Sequence, residues 1–219
     1  MRGAAKLRFV LLGVVSLCAV YTLVRRSVTA DRHWYKREAP CQYSHQHNQS
    51  LSKLTDVIVD ILQRKHVDFF LCYGSLYGAL RLGYALPWDP DVEFCVYDLH
   101  RSYFNEDLLG WFEDNSLPIT YDRYEDLFTI ELENVRAEIV LFKYNDDFTR
   151  LERQLPFGVT DSFPSKLLAP PLEKRKFFRQ TLPVPNDGID IQRYFYPDDW
   201  WKPVKPVNCR HAETESGDR

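Results

Sequence analysis

Residues 89 to 97 combine acidic side chains with an apolar run, and this combination restricts the fold more than any other stretch of the sequence. Asp91 and Glu93 alternate with apolar residues, and Asp89 lies two residues earlier. Side chains at positions i and i+2 of a strand face the same way, so Asp91 and Glu93 share one face. The pattern predicts a strand from Asp91 to Tyr97 with clustered negative charge on one side and core residues on the other.

A second apolar run, RAEIVLF, places another acid on one face of a strand. Its three alternating apolar residues share one face, and Glu138 lies on the opposite one. If this predicted strand, Val135 to Phe142, neighbours the first, Glu138 completes a cluster with Asp91 and Glu93. Like charges this close repel one another unless a hard cation lies among them. We therefore predict that Asp91, Glu93 and Glu138 bind a divalent metal.

A Gly-Ser pair follows the short apolar run Val67 to Tyr73, which is typical of a buried strand. Gly74 interrupts the run, and Ser75 can cap a short helix, Leu76 to Leu82, that ends at Gly83. Backbone N–H groups and the positive end of a helix dipole suit a phosphate group. A phosphate site facing a carboxylate-held metal is the arrangement that phosphoryl and nucleotidyl transfer require.

Hydrophobic periodicity predicts most of the remaining elements. They are helices from Ser50 to about Lys65 and around Phe104 to Phe112, and a strand around Leu127 to Leu132. After residue 145 the chain is rich in Pro and turn residues, so we expect an irregular part with short helices at best, around Glu173 to Arg179 and Ile189 to Tyr196. Together, these helices and strands indicate the α+β fold class.

The N-terminus carries an apolar run, Phe9 to Val24, with basic residues on both sides. The run is slightly shorter than the roughly 17 to 25 residues of a usual membrane-spanning helix. We expect an uncleaved signal anchor, and the two arginines at 25 and 26 favour it over the alternative, a signal peptide cleaved after Ala30. The predicted product is a single-pass type II membrane protein of the Golgi or endoplasmic reticulum with a lumenal catalytic domain, or a secreted protein if cleavage occurs.

This interpretation divides the chain into a cytosolic tail and anchor (1–30), a stem (31–49), a catalytic domain (50–206) and a disordered tail (207–219). Cys41 and Cys209 lie in the polar flanks of the domain and can form a disulfide in an oxidising lumen. Cys72 and Cys95 lie in apolar runs, where we expect buried thiols.

The stretch YGSLYGALRLGYALPWDPDVEF resembles the signature of the LicD family, which includes fukutin and fukutin-related protein: a YG[ST]LLGAxR segment followed by IPWDDDID. Near the C-terminus, LPVPNDGIDIQRYFYPDDWWKP resembles the closing motif of that family. The resemblance extends from about Lys65 to Pro206. It implies a nucleotidyltransferase-like fold, with a mixed sheet flanked by helices. It also implies transfer of a phosphorylated alcohol, such as phosphocholine or ribitol phosphate, from a CDP-linked donor to a glycan, with Mg2+ or Mn2+ as cofactor.

The resemblance also implies roles for individual residues. Gly74 and Ser75 would contact donor phosphate, and Arg81 would counter its charge. The residue type of Trp88 leaves two alternatives open, filling the core or, as a substrate-binding residue, stacking on the base. The catalytic set would be Asp89, Asp91, Glu93 and Glu138.

Several positions depart from the family pattern. Pro90 replaces an acid, Glu93 and Glu138 stand where Asp is usual, and Leu82 replaces a frequent His. The alternative function is therefore a catalytically inactive family member that binds a glycan or a partner enzyme, and a further one is nucleotidyl transfer from a nucleoside triphosphate. The net charge of -3 argues against nucleic acid as a partner, because phosphate neutralisation needs a clustered basic face.

Overall fold

The structure is a computed structural model, and it describes residues 11–24, 38–98 and 104–209. Residues 11–24 are helical and form α1. The other α-helices are α2 (His45–Arg64), α3 (Tyr73–Arg81), α4 (Phe104–Glu113) and α5 (Gln192–Phe195). The strands are β1 (Phe69–Leu71), β2 (Asp91–Asp98), β3 (Ile119–Asp122), β4 (Leu127–Leu132), β5 (Val135–Tyr144), β6 (Arg150–Leu155), β7 (Val159–Pro164), β8 (Glu173–Phe177) and β9 (Gln180–Val184). Short 3-10 helices span Pro156–Gly158, Ser165–Leu168, Gly188–Ile191 and Val207–Cys209.

A mixed sheet of seven strands forms the centre of the described part of the chain, in the order β1-β2-β5-β4-β3. Strand β6 pairs with the end of β5, and β7 pairs with β6. Strands β2 and β5 run parallel, and in their register Asp91 faces Arg136 while Glu93 faces Glu138. The predicted neighbourhood of these two strands is thus confirmed, and their polar residues share one face of the sheet.

Helix α2 packs against the two central strands, β2 and β5. Its apolar stripe is buried except for the partly buried Val57, and Ser44 caps its N-terminus by accepting a hydrogen bond from the N–H of His47 at 3.1 Å. The helix begins at His45, so the predicted start at Ser50 was five residues late, and the last residues of the predicted stem are helical. A Ser followed by helix-forming residues was the signal for the earlier start.

The region after residue 145 is more ordered than we predicted. Four strands lie there, and Glu173–Phe177 is a strand of the β8–β9 hairpin instead of a helix. Buried Arg153 and Asp161 interrupt the apolar alternation of β6 and β7 and face each other across the strand pair. Because alternating hydrophobicity is the main sequence signal for a strand, these strands were not recognisable. The short helices predicted around Ile189 to Tyr196 are confirmed.

Part of the predicted membrane anchor falls in α1. Among the described helices, none combines the length and the hydrophobicity needed to cross a bilayer. The basic residues on either side of α1, the cleavage position after Ala30 and residues 31–37 of the predicted stem lie outside the described ranges, as do residues 210–219 of the predicted tail.

Two disulfides join distant parts of the domain. Cys41 bonds Cys209, with their Cα atoms 5.4 Å apart, so the predicted pairing is confirmed. Cys72 bonds Cys95, with a Cα separation of 5.8 Å, and the prediction of free buried thiols at these positions was wrong. Strands β1 and β2 are antiparallel and Phe70 faces Cys95. The residue just beyond β1 therefore comes within bonding distance of Cys95.

Candidate functional site

Three carboxylates meet where β2 begins. Asp89, Asp91 and Glu93 each bring one oxygen to within 4.8 Å of the others. The side chains of Asp91 and Glu93 share one face of β2, and Asp89 reaches them from the turn that precedes the strand. Asp89 is 2 % exposed and Asp91 is 6 % exposed. Hard oxygen ligands at this spacing suit a divalent cation such as Mg2+ or Mn2+.

Asp89 is the member of this cluster that most needs a positive partner. Its Oδ2 atom is buried and has no hydrogen-bond partner among the described residues. An unpaired buried carboxylate is costly, and such groups are paired, bind metals or take up a proton. Accordingly, burial and then the charge of Asp91 raise the pKa of Asp89 well above its ordinary value. The pKa of Glu93 is raised in the same way, by burial and by both neighbouring aspartates.

The first turn of α3 lies directly against the acids. The N–H of Ser75 donates to Glu93 Oε2 at 3.0 Å, and Ser75 Oγ accepts from the N–H of Glu93 at 2.8 Å. The helix begins at Tyr73 and Cys72 is its N-cap, so Ser75 lies inside the first turn and the predicted capping role was wrong. The predicted phosphate site does adjoin the acidic strand, but here the Ser75 N–H is bonded to Glu93.

Tyr73 starts this turn in a strained conformation. Its φ of 47° is in the left-handed region that bulky residues rarely adopt. The carbonyl of Tyr73 accepts a hydrogen bond from Gln192 Nε2 at 2.5 Å, which ties the turn to the C-terminal segment. Strain of this kind is common at binding and catalytic sites, where surrounding contacts maintain it.

Glu138 lies beside the cluster without joining it. In the part of the chain that the structure describes, the carboxylates close enough to share an ion are those of Asp89, Asp91 and Glu93. Glu138 Oε1 instead lies 3.5 Å from Arg136 Nη2. The predicted ligand set of Asp91, Glu93 and Glu138 therefore differs from the observed cluster, because an arginine two residues away on the same face attracts the Glu138 carboxylate. Burial and the charge of Asp91 raise the pKa of Glu138 to about 7.

Arg136 is the main residue of the site that sequence reasoning missed. Its Nε donates to Asp91 Oδ2 at 2.8 Å, and its Nη2 lies 2.8 Å from the same oxygen. The signal was present, since Arg136 precedes Glu138 by two residues and must share its face of β5.

A cavity of about 340 Å³ opens in front of these acids. Arg153, only 8 % exposed, also lines it and donates from Nε to the carbonyl of Glu125 at 2.5 Å. Three aromatic residues contribute to the lining, and burial and then the charge of Glu93 raise the pKa of the Tyr196 hydroxyl well above its ordinary value. The full lining is Tyr73, Asp89, Pro90, Asp91, Glu93, Glu125, Leu127, Arg136, Glu138, Val140, Arg153, Leu155, Asp161, Phe195 and Tyr196.

None of the four predicted substrate-binding residues, Gly74, Ser75, Arg81 and Trp88, is among the residues that line this cavity. Arg81 donates from Nη2 to the carbonyl of Trp201 at 2.6 Å, at the other end of α3. Trp88 is 8 % exposed and packs with Tyr77 and Leu86, an arrangement that fits the core-filling alternative. Gly74 and Ser75 thus lie against the acids. Gly74 also lines a second, small cavity together with Trp88, whereas Arg81 lies at the other end of α3.

Comparison with known proteins places this site in context. No curated protein matches the chain. Solved structures with weak similarity include the lincomycin-bound lincosamide antibiotic adenylyltransferase LnuA, at 14 % identity over 66 % of this chain and 81 % of that one, with a TM-score of 0.45. They also include ANT(2")-Ia in complex with adenylyl-2"-tobramycin, at 15 % identity over 76 % of this chain and 84 % of that one, with a TM-score of 0.47. A putative nucleotidyltransferase from Thermotoga maritima is 14 % identical over 65 % of this chain and 83 % of that one, with a TM-score of 0.38. Similarity at this level does not identify a shared substrate.

The family comparison is more informative. The model of the LicD/FKTN/FKRP nucleotidyltransferase domain matches residues 66–187. This range is more than half of the 219 residues and contains the Gly-Ser turn, the three clustered acids, Arg136 and Glu138. The chain therefore belongs to the LicD/FKTN/FKRP family.

Proposed function

We propose that this protein is a metal-dependent transferase that moves a phosphorylated alcohol, of the ribitol phosphate or phosphocholine type, from a CDP-linked donor to a glycan. The observation that carries the proposal is the buried cluster of Asp89, Asp91 and Glu93, with the unpartnered Asp89 Oδ2 facing the first turn of α3. A cluster of this kind is stable only with protons or a cation, and its setting in a nucleotidyltransferase domain favours a cation.

The donor set fits Mg2+ or Mn2+, which would be held by Asp89, Asp91 and Glu93. A divalent ion at this position offsets phosphate charge and polarises the oxygens around the reacting phosphorus. The cavity in front of the acids provides room for a pyrophosphate and the alcohol attached to it. Arg136 and Arg153 both line this cavity and would supply fixed positive charge for the phosphates.

The proposed reaction is a substitution at the phosphorus that carries the alcohol. The oxygen of a glycan hydroxyl forms a bond to this phosphorus, the bond to the bridging oxygen of the pyrophosphate breaks, and CMP leaves with that oxygen. The hydroxyl proton needs an acceptor, and we propose Glu138. Its pKa of about 7 suits a general base near neutral pH, and it lies on the cavity wall beside the acids.

A second candidate function is binding of a glycan or partner enzyme without catalysis. One observation favours it: the Ser75 N–H, predicted to meet donor phosphate, is already bonded to Glu93. If that bond persists when ligands are present, the turn cannot hold a phosphate in the predicted way. Nucleotidyl transfer from a nucleoside triphosphate is a third candidate, and a substrate comparison tests it.

We further propose that the protein works in the secretory pathway, anchored through residues 9–24. The two disulfides support an oxidising compartment, since such bonds are rare in the cytosol. A fluorescent fusion combined with protease protection of intact microsomes tests this part of the proposal.

The test of the function is release of CMP. Purified full-length protein is incubated with CDP-ribitol, CDP-choline or ATP, with Mn2+ and a mixture of glycan acceptors, and released nucleotide is separated by chromatography. We expect CMP release that depends on Mn2+ and acceptor and that disappears in Asp91→Ala. The exposed Asp146 is a suitable control, and Asp146→Asn is expected to keep full activity. Mn2+ and CDP binding without any turnover would favour the binding protein.

A further inference from the structure

Arg136 occupies a position between two acids that belong to different strands. Its Nε and Nη2 both lie 2.8 Å from Asp91 Oδ2, and Nη2 is 3.5 Å from Glu138 Oε1. Both contacts to Asp91 fall on the same oxygen. These contacts leave the other oxygen of Asp91, Oδ1, able to serve an ion shared with Asp89 and Glu93 in the proposed metal site.

This geometry resembles one half of a two-cation site. Enzymes that transfer phosphoryl groups with two metal ions hold them about 3.5 to 4 Å apart. A carboxylate can bridge such a pair through its two oxygens. Asp91 corresponds to such a bridging carboxylate, because it belongs to the acid cluster and also binds the guanidinium of Arg136. Arginine carries a permanent charge and only hydrogen-bond donors, so it offsets an anion without needing ligands of its own.

We propose that Arg136 supplies the positive charge of the second cation position, so that the chain binds a single divalent ion, at Asp89, Asp91 and Glu93. The inference rests on the metal site of the proposed function and concerns what this chain adds to it. One divalent ion and one guanidinium together offset three of the four carboxylate charges of Asp89, Asp91, Glu93 and Glu138. A second divalent ion would have to displace the guanidinium from Asp91.

The register of β2 and β5 determines which acids Arg136 contacts. Arg136 faces Asp91 in the parallel register of β2 and β5, and Glu138 is its neighbour two residues along the same strand. Asp91 is only 8 % exposed at its side chain, whereas Arg136 is 49 % exposed. The partly exposed guanidinium therefore contacts a buried acid. Removing the guanidinium would free both Asp91 Oδ2 and the Glu138 carboxylate to bind a cation.

The test is the number of Mn2+ ions bound by the full-length chain, measured by titration calorimetry and by electron paramagnetic resonance. We expect one ion in the wild type and in Arg136→Lys, because lysine keeps the charge. Arg136→Gln is expected to bind two ions, with the spectral broadening of a coupled manganese pair. In the double variant Arg136→Gln/Glu138→Gln the number is expected to return to one, because the second site loses a ligand.

Two results would overturn the inference: two ions in the wild type, or a folded Arg136→Gln protein that still binds one ion at saturating Mn2+. Circular dichroism establishes whether the Arg136→Gln protein is folded. If it is unfolded, the number of Mn2+ ions bound by the wild type and by Glu138→Gln decides the question, and we expect one ion in each. Absence of any bound Mn2+ in the wild type would overturn both this inference and the proposed metal site. One bound ion without CMP release would leave the inference standing while the proposed activity fails.

Discussion

The backbone of Gly74 touches the carboxylate of Asp89. A Cβ built at residue 74 would lie less than 3.0 Å from Asp89 Oδ2 and 3.1 Å from Glu93 Oε2. The φ of Gly74 is not in the left-handed region, so the position requires glycine for lack of space and not for backbone freedom. This contact brings the first turn of α3 and the acids of β2 together.

Gly74→Ala should therefore damage the site more than the fold. The added methyl must displace the Asp89 carboxylate, and we expect Mn2+ affinity to fall at least tenfold in calorimetric titrations. Gly78, one turn later, is the matched control, because its Cβ would meet the backbone carbonyl of Tyr84. Gly78→Ala is expected to lower the free energy of unfolding by about 1 to 3 kcal/mol while retaining Mn2+ binding. Equal Mn2+ affinity in wild type and Gly74→Ala would contradict the geometry.

Asp89→Asn should have opposite effects on stability and binding. The substitution removes a buried charge with an unpartnered oxygen, so at pH 8 the protein in EDTA should be more stable by about 1 to 3 kcal/mol. Binding of Mn2+ should be lost, since asparagine is a poorer ligand. Urea denaturation with and without Mn2+ measures both effects, and Asp146→Asn is the surface control. Loss of stability in EDTA would show that the Asp89 carboxylate is favourably paired.

The pKa of Glu138 predicts how stability depends on pH. Burial raises this pKa from 4.5 to about 7, so the native state binds the proton more tightly than the unfolded state. Proton binding to Glu138 therefore stabilises the native state, by at most about 3 kcal/mol. This contribution to the free energy of unfolding is fully present below pH 4.5 and is lost as the pH rises through about 7. Urea denaturation in EDTA between pH 5 and 8 should show this fall, and a shallower fall in Glu138→Gln. Identical slopes in the two proteins would contradict the assignment.

The Cys72–Cys95 disulfide should position the site as well as stabilise the domain. It joins the residue before Tyr73 to β2, two residues beyond Glu93. The double variant Cys72→Ala/Cys95→Ala is expected to lose about 3 kcal/mol of stability, from the loop that the bond closes, and also Mn2+ affinity. Cys41→Ala/Cys209→Ala is the control for a disulfide outside the cavity lining and should lose stability without losing affinity. Unchanged affinity in the Cys72/Cys95 variant would mean that the bond is only structural.

Much of the site could be predicted from two alternating stretches of sequence. The i, i+2 rule placed Asp91 and Glu93 on one face of their strand, and the same rule placed Glu138 opposite the apolar face of its own strand. That the two strands are neighbours was only a condition of the prediction, which the pairing of β2 and β5 satisfies. Asp89 could not be assigned as a ligand in this way, because its position depends on a turn and on the space beside Gly74. Strand periodicity says nothing about either.

Other residues depended on contacts between distant segments. Arg81 was expected near phosphate, but the C-terminal segment returns to α3 and the carbonyl of Trp201 accepts its hydrogen bond. The pairing of Arg153 with β7 and the Cys72–Cys95 bond follow from strand register, which the sequence alone does not give. These features were missed because each depends on contacts between segments that are far apart in the sequence.

The most direct measurement is titration calorimetry of the full-length protein with Mn2+ and then with CDP. A cation held by Asp89, Asp91 and Glu93 should make CDP binding depend on Mn2+, and Asp91→Ala should bind neither, while Asp146→Asn behaves as the wild type. If the wild type takes up no Mn2+, or binds CDP equally well in EDTA, the acidic cluster is not a metal site and the account is wrong.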